Sequence, residues 1–140
     1  VAWANKDLDT GSSIGFKSDK GKPRMELLPV VPLEMAAEVF TYGHEKYSDI
    51  SSTYANNWLQ GMDWGRVYGA LQRHLSAYWN GEDIDEESGM SHLAHALSCL
   101  MMLAEYQAKP ALYSKFDDRP TVTHVAQWGT ILEASKTNEH

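Results

Sequence analysis

A chain of 140 residues, 43% hydrophobic and 22% charged, is long enough for one domain with a real core and too short for two. Its net charge of −7 argues against a broad electrostatic footprint for duplex DNA, and a single cysteine, Cys99, excludes an internal disulfide framework and fits a reducing, cytoplasmic compartment. No apolar run is long enough to span a bilayer and no amino-terminal stretch reads as a signal peptide, so neither a membrane nor duplex nucleic acid is an expected partner.

Residues 1–29 are rich in Gly, Ser, Lys and Asp and read as an extended arm with a basic run of Lys17, Lys20, Lys22 and Arg24. A solvated tail and a phosphate-contacting arm are both open readings of that run. A helical core is expected over 30–108. Its first helix starts near Pro32, where the missing N–H costs nothing, and runs to about Tyr47. At roughly 100° per residue, Leu33, Ala37 and Phe40 fall on one side, Met35 and Val39 on the opposite one, and Glu34, Glu38, Thr41 and Glu45 in a narrow stripe between them. Acids walled by apolar residues on both flanks are unusual for a solvated helix face.

Residues 48–62 are Ser- and Asn-rich and read as a loop that carries Asn57 and Trp58, an amide beside a large π-face. The second helix is expected from Trp64 to Trp79, with Asp63 as N-cap, an inward face of Val67, Ala70, Leu71, Leu75 and Tyr78, and Gly81 as the stop. Arg73 and His74 lie on or beside that face and suit either a phosphate contact or a satisfied core histidine.

Five carboxylates then fall in six positions, Glu82, Asp83, Asp85, Glu86 and Glu87. The alternation of Asp83, Asp85 and Glu87 looks like an EF-hand, but Ser88 stands where the turn glycine belongs and Ala94 where the bidentate glutamate is needed. The third helix, from about Ser91 to Gln107, ends before Pro110 and places Leu93, Leu97, Leu100 and Ala104 on one side and His92, His95 and Cys99 on another. His92 and His95 lack a third strong ligand at a standard zinc spacing, so bonds to an acid or a phosphate are the preferred reading. Cys99, in mid-helix among apolar residues, is a poor nucleophile candidate. Residues 109–140 read as a peripheral segment, in which a short strand is expected at 121–125 and a short helix at 126–135. The chain shows no Walker loop, dinucleotide-binding turn or nucleophile elbow. The expected fold is a small all-α domain of three main helices, which would gain from pairing with a second copy.

Four stretches carry a family resemblance: residues 15–24 with Leu27-Leu28-Pro29, Tyr42-Gly43-His44-Glu45-Lys46-Tyr47, Asn57-Trp58, and Arg73-His74-Leu75 leading into 81–89 and His92-Leu93-Ala94-His95. Together they resemble the phage and bacterial dATP/dGTP diphosphohydrolases, a branch of the MazG-like all-α nucleotide pyrophosphatases. The resemblance implies hydrolysis of a purine deoxynucleoside triphosphate to monophosphate and pyrophosphate, Mg²⁺ or Mn²⁺ as cofactor, and a homo-oligomer, dimer or tetramer. In phages with 2-aminoadenine genomes it also implies a supply of dGMP for the modified precursor. MazG-like enzymes carry Glu-x-x-Glu on one helix and Glu-x-x-Asp on the next. Here the first pair, Glu34 and Glu38, is one residue wider, and the Glu-x-x-Asp is Glu82 to Asp85, in or beside a loop.

The resulting expectation is two or three hard cations held by Glu34, Glu38, Glu82 and Asp85, with Glu87, the first four also carrying the chemistry. Substrate contacts are expected from Lys17, Lys22, Arg24, Lys46, Asn57, Trp58, Arg73, His92 and His95. Two rivals are a non-catalytic helical module that binds metal or nucleotide or serves in assembly, and a pyrophosphatase that prefers pyrimidines.

Overall fold

A computed structural model describes residues 15–47 and 57–120. Its described residues are helical, with no strand and only an isolated antiparallel bridge between Ile84 and Ser91. The strand and helix expected beyond residue 120, and most of the expected 48–62 loop, lie outside the described residues. The chain divides into two units, residues 1–30 and 31–140. In the first, a 3₁₀ turn spans Met25–Leu27. Its basic residues pair locally: Lys17 and Lys22 each stand near Asp19, at 3.6 and 3.7 Å, and Arg24 donates to Glu26 at 2.7 Å.

In the second unit the three expected helices are present as α1 (Val30–Tyr47), α2 (Trp64–Trp79) and α3 (His92–Ala108). α1 starts ahead of Pro32, which therefore sits inside the first turn, where its missing N–H is still harmless. α2 ends in a Schellman turn. Gly81, at φ +92°, donates to the Tyr78 carbonyl, and the Glu82 N–H reaches the Ala77 carbonyl, both at 3.0 Å. Ser91 caps α3, its hydroxyl accepting the Leu93 N–H at 3.1 Å. Asp63 precedes α2 as expected, but its side chain makes no cap bond. The Gly65 N–H instead donates to the Asp118 carboxylate at 2.7 Å, so the cap comes from far along the chain.

α2 and α3 form the core, with Trp64, Val67 and Leu71 against Ala96, Cys99 and Tyr106. Leu75 and Tyr78, expected on that inward face, are exposed. The inward face of α3 is the histidine and cysteine side. The leucine stripe points out, with Leu93 at 40% and Leu100 at 51% exposure. A third side of α3 carries Ala94 and Ser98, and the Ser98 hydroxyl approaches the Ala36 carbonyl of α1 at 3.5 Å. Ala36 and Ala94 are small enough to let the two backbones come this close.

Pro110 does not only stop α3. It opens a short α4 (Pro110–Tyr113), as proline suits a first helical position. Tyr113 is 5% exposed and its hydroxyl donates to the Leu59 carbonyl at 2.7 Å, while Tyr106, wholly buried, donates to the Trp58 carbonyl at 2.6 Å. Burial pushes the Tyr106 phenol up to about 12, so it stays a donor at any ordinary pH. These two bonds seat the 3₁₀ turn Asn57–Gln60 on the core. At its end, Gly61 has φ +96° and lies so close to the Phe116 ring that a Cβ would overlap it.

Candidate functional site

The acid stripe of α1 lines an open cleft of about 500 Å³, in which Glu34, Glu38, Thr41, Tyr42 and Glu45 stand along one helix side with Met90 opposite. The three glutamates are all exposed, so the apolar flanks do not wall the stripe off from solvent as the sequence suggested, and they supply only oxygen donors. The i, i+4 spacing puts Glu34 and Glu38 one turn apart on the same face. This donor set fits a hard cation such as Mg²⁺ or Mn²⁺. Met90 brings the acidic loop to the edge of the cleft, and Lys46 of α1 is ion-paired with Glu87 of that loop. The bond to Glu87 raises the Lys46 pKa, so this ammonium remains charged.

The loop itself is built rather than loose. The Asp85 N–H donates to the Met90 carbonyl and the Gly89 N–H to the Asp85 carbonyl, both at 2.8 Å, and the His92 N–H reaches the Asp83 carbonyl at 2.9 Å. Gly89 has φ +72°, a turn conformation that favours glycine. Asp85 is thereby turned inward, while Glu82, Asp83, Glu86 and Glu87 are exposed.

Inside the turn lies a cluster drawn from three elements. His74 Nδ1 of α2 is 2.9 Å from His92 Nδ1 of α3, and the His74 ring stacks on His95 at 4.5 Å and 7°. Asp85 Oδ2 accepts from the Ser88 N–H at 3.1 Å and its hydroxyl at 2.8 Å. With its proton committed to Asp85, the Ser88 oxygen accepts from His95 Nε2, 2.6 Å away, which places the His95 proton on that nitrogen. Burial lowers the pKa values of His74 and His95, for His74 reinforced by the neighbouring histidines. Burial raises the pKa of Asp85, but the Ser88 bonds and nearby histidines outweigh it and the net shift is downward. His74, Asp85 and His92 each offer a ligand atom within 4.8 Å of the others. His92 is only 6% exposed, and its Nε2 makes no hydrogen bond among the described residues; Glu82 Oε2 stands 3.7 Å from it.

A cavity of about 540 Å³ lies elsewhere on α1, lined by Phe40, Tyr47, Asn57, Trp58, Arg66 and Arg73 among others. Trp58 packs on Phe40 at 5.5 Å, and its buried Nε1 has no partner among the described residues. Helical spacing puts Phe40, Gly43 and Tyr47 on the face of α1 opposite Glu34 and Glu38. Within one chain, then, the acids and the aromatic cavity look away from each other. Cys99 borders the cavity, but burial raises its pKa and keeps it a thiol.

Of the residues singled out from the sequence, Glu34 and Glu38 share one cleft, Asn57, Trp58 and Arg73 share the aromatic cavity, and Lys46 and Glu87 pair at the loop. Asp85, His92 and His95 converge instead with His74 and Ser88. Sequence reasoning overlooked that grouping. The signal for it was the tight return between Gly81 and Ser91, which brings the end of α2 beside the start of α3.

The described residues thus make an all-α domain with a carboxylate cleft, an inward histidine cluster and an aromatic cavity. The sequence model of the family described as dATP/dGTP diphosphohydrolase, N-terminal, matches residues 12–119, and the chain belongs to that family. A dATP/dGTP diphosphohydrolase of Salmonella phage PMBT28 is 35% identical over 89 residues, which cover 64% of this chain and 28% of the relative. The chain thus matches less than a third of that relative's length. No solved structure matches it. No helix among the described residues is long and apolar enough to cross a membrane.

Proposed function

We propose that this chain hydrolyses purine deoxynucleoside triphosphates, dGTP and dATP, to the monophosphate and pyrophosphate with Mg²⁺ or Mn²⁺. The observation that carries the reading is the oxygen-only cleft of α1 in a member of this family. Glu34 and Glu38 would hold the cation, with Glu82 and Glu87 of the neighbouring loop able to add charge at its rim. When bound, such an ion supplies Lewis acidity at the phosphates and a more acidic water. A carboxylate of the stripe left free of the ion would take that water's proton. Lys46, poised on Glu87, and Arg73 would offset the polyphosphate charge. Asn57 and Trp58 would receive the base, the Trp58 Nε1 donor gaining an acceptor it otherwise lacks.

Because the acids and the aromatic cavity lie on opposite faces of α1, one nucleotide would be enclosed by the acids of one chain and the cavity of a second copy. A homo-oligomer, dimer or tetramer, is therefore part of the proposal. Supply of dGMP to modified-purine DNA synthesis in a phage would follow from the same reaction.

The test is a panel of the four dNTPs with and without Mn²⁺, products resolved by anion-exchange chromatography. The expected result is metal-dependent formation of dGMP and dAMP with one pyrophosphate each. Release of nucleoside and tripolyphosphate, or no turnover of any dNTP, would sink the reading. Preference for pyrimidines would remove its purine half.

A further inference from the structure

His92 Nδ1 is paired with His74, but its buried Nε2 has no hydrogen-bond partner among the described residues. Two imidazole Nδ1 atoms at 2.9 Å share one proton, so either His74 or His92 donates to the other. If His92 donates, its buried Nε2 is a lone pair with no donor. If His74 donates, the His92 Nδ1 lone pair is used and its Nε2 proton faces Glu82 Oε2 at 3.7 Å, beyond hydrogen-bond reach. The two facing Nδ1 atoms, 2.9 Å apart, could instead both turn their lone pairs to a cation. Both lone pairs then bind the ion, both protons move to Nε2, and the His92 proton faces the Glu82 carboxylate 3.7 Å away. A carboxylate behind a ligating histidine is the usual support of such a ligand.

We propose that His74, Asp85 and His92 form a binding site for one borderline divalent cation of the zinc or cobalt kind, distinct from the oxygen-only stripe of α1. Two nitrogens and a carboxylate oxygen suit such ions better than Mg²⁺ or Ca²⁺. Nitrogens on a tetrahedral zinc stand about 3.3 Å apart, so the pair needs to open by only a few tenths of an ångström. Both Ser88 bonds fall on Asp85 Oδ2, which leaves Oδ1 outside them. Ser88, itself held by His95, fixes that carboxylate as outer partners fix a metal ligand. Three protein ligands leave a fourth position for water or a phosphate oxygen. The ion would clip α2, the loop and the first turn of α3 together.

The site stands independently of the roles given to Glu34 and Glu38, and its test reads metal binding alone. The full chain, stripped with a chelator, is titrated with Co²⁺ and followed by visible absorption. The expected result is one equivalent giving the intense bands of a four-coordinate ion, displaced by Zn²⁺ and not by Mg²⁺. His74→Ala and Asp85→Asn should weaken Co²⁺ binding at least about 100-fold with the circular dichroism of the fold retained, whereas Glu34→Gln should leave it unchanged. Should a variant fail to fold, imidazole nitrogen shifts of the wild-type chain decide the matter. Zn²⁺ should move the Nδ1 resonances of His74 and His92. Weak six-coordinate bands, loss of binding in Glu34→Gln rather than in the histidine variant, or unmoved Nδ1 resonances would each overturn the proposal.

Discussion

Glu34 and Glu38 were legible from the sequence because helical spacing alone sets them on one face, and α1 keeps that spacing. Changing either to Gln removes a charge and keeps the volume. Turnover should fall at least about 10–100-fold at saturating Mg²⁺, since a ligand matters no less than its outer partners, while the thermal midpoint of the metal-free chain stays put. Steady-state rates beside melting curves check this, and near wild-type turnover would free these acids of the role. The histidines were not legible as a group, because contacts between α2 and α3 depend on how the loop folds back. Their titration gives a second prediction. The folded state holds His74 and His95 below their ordinary value of 6.5, so below that pH the unfolded chain binds more protons than the folded one. Their contribution to stability is intact above about 6.5 and is lost as pH falls toward the folded values. Urea melts of the metal-free chain at pH 7.5 and 5.5 should show lower stability at the acid end, with a smaller difference in His74→Ala. Equal pH dependence in both proteins would remove His74 from the account.

The end of α2 and the start of α3 followed from punctuation in the chain, with Gly81 and Ser91 acting where local rules place them, whereas α1 begins at Val30, ahead of Pro32. What local signals could not give was orientation. Leu93 and Leu100 are the larger apolar residues of α3, yet the side turned to α2 carries Ala96 and Cys99, which allow close approach, and Tyr106, which needs the Trp58 carbonyl for its hydroxyl. The cap of α2 departs from expectation for a similar reason. Asp63 is at the right position, but Asp118 makes the bond to Gly65. Asp118→Ala should therefore cost about 1 kcal/mol, the usual worth of an N-cap, and Asp63→Ala much less. Denaturant midpoints of the two variants distinguish them, and equal losses would return the cap to Asp63.

At the scale of the molecule, the leucine stripe of α3 leaves Leu93 and Leu100 in solvent, next to a groove of about 680 Å³ that Tyr68, Leu100 and Leu103 help to line. A monomer rarely leaves so continuous an apolar strip uncovered. Sedimentation should give a mass above the 15.7 kDa of one chain, and Leu100→Glu should move it toward that value. A wild-type chain that sediments as a monomer at tens of micromolar would remove the second copy from the proposed site.

The bonds from Tyr106, Tyr113 and Asp118 reach back 48, 54 and 53 residues to the turn at 57–60 and the start of α2. During synthesis this has a temporal meaning. The turn at 57–60 leaves the ribosome without its two phenol donors and waits for them until Tyr113 has emerged, and the first turn of α2 waits for its cap until Asp118 has emerged. Until then α2 and α3 can pair, but the turn that precedes them lacks the bonds that hold it to the core.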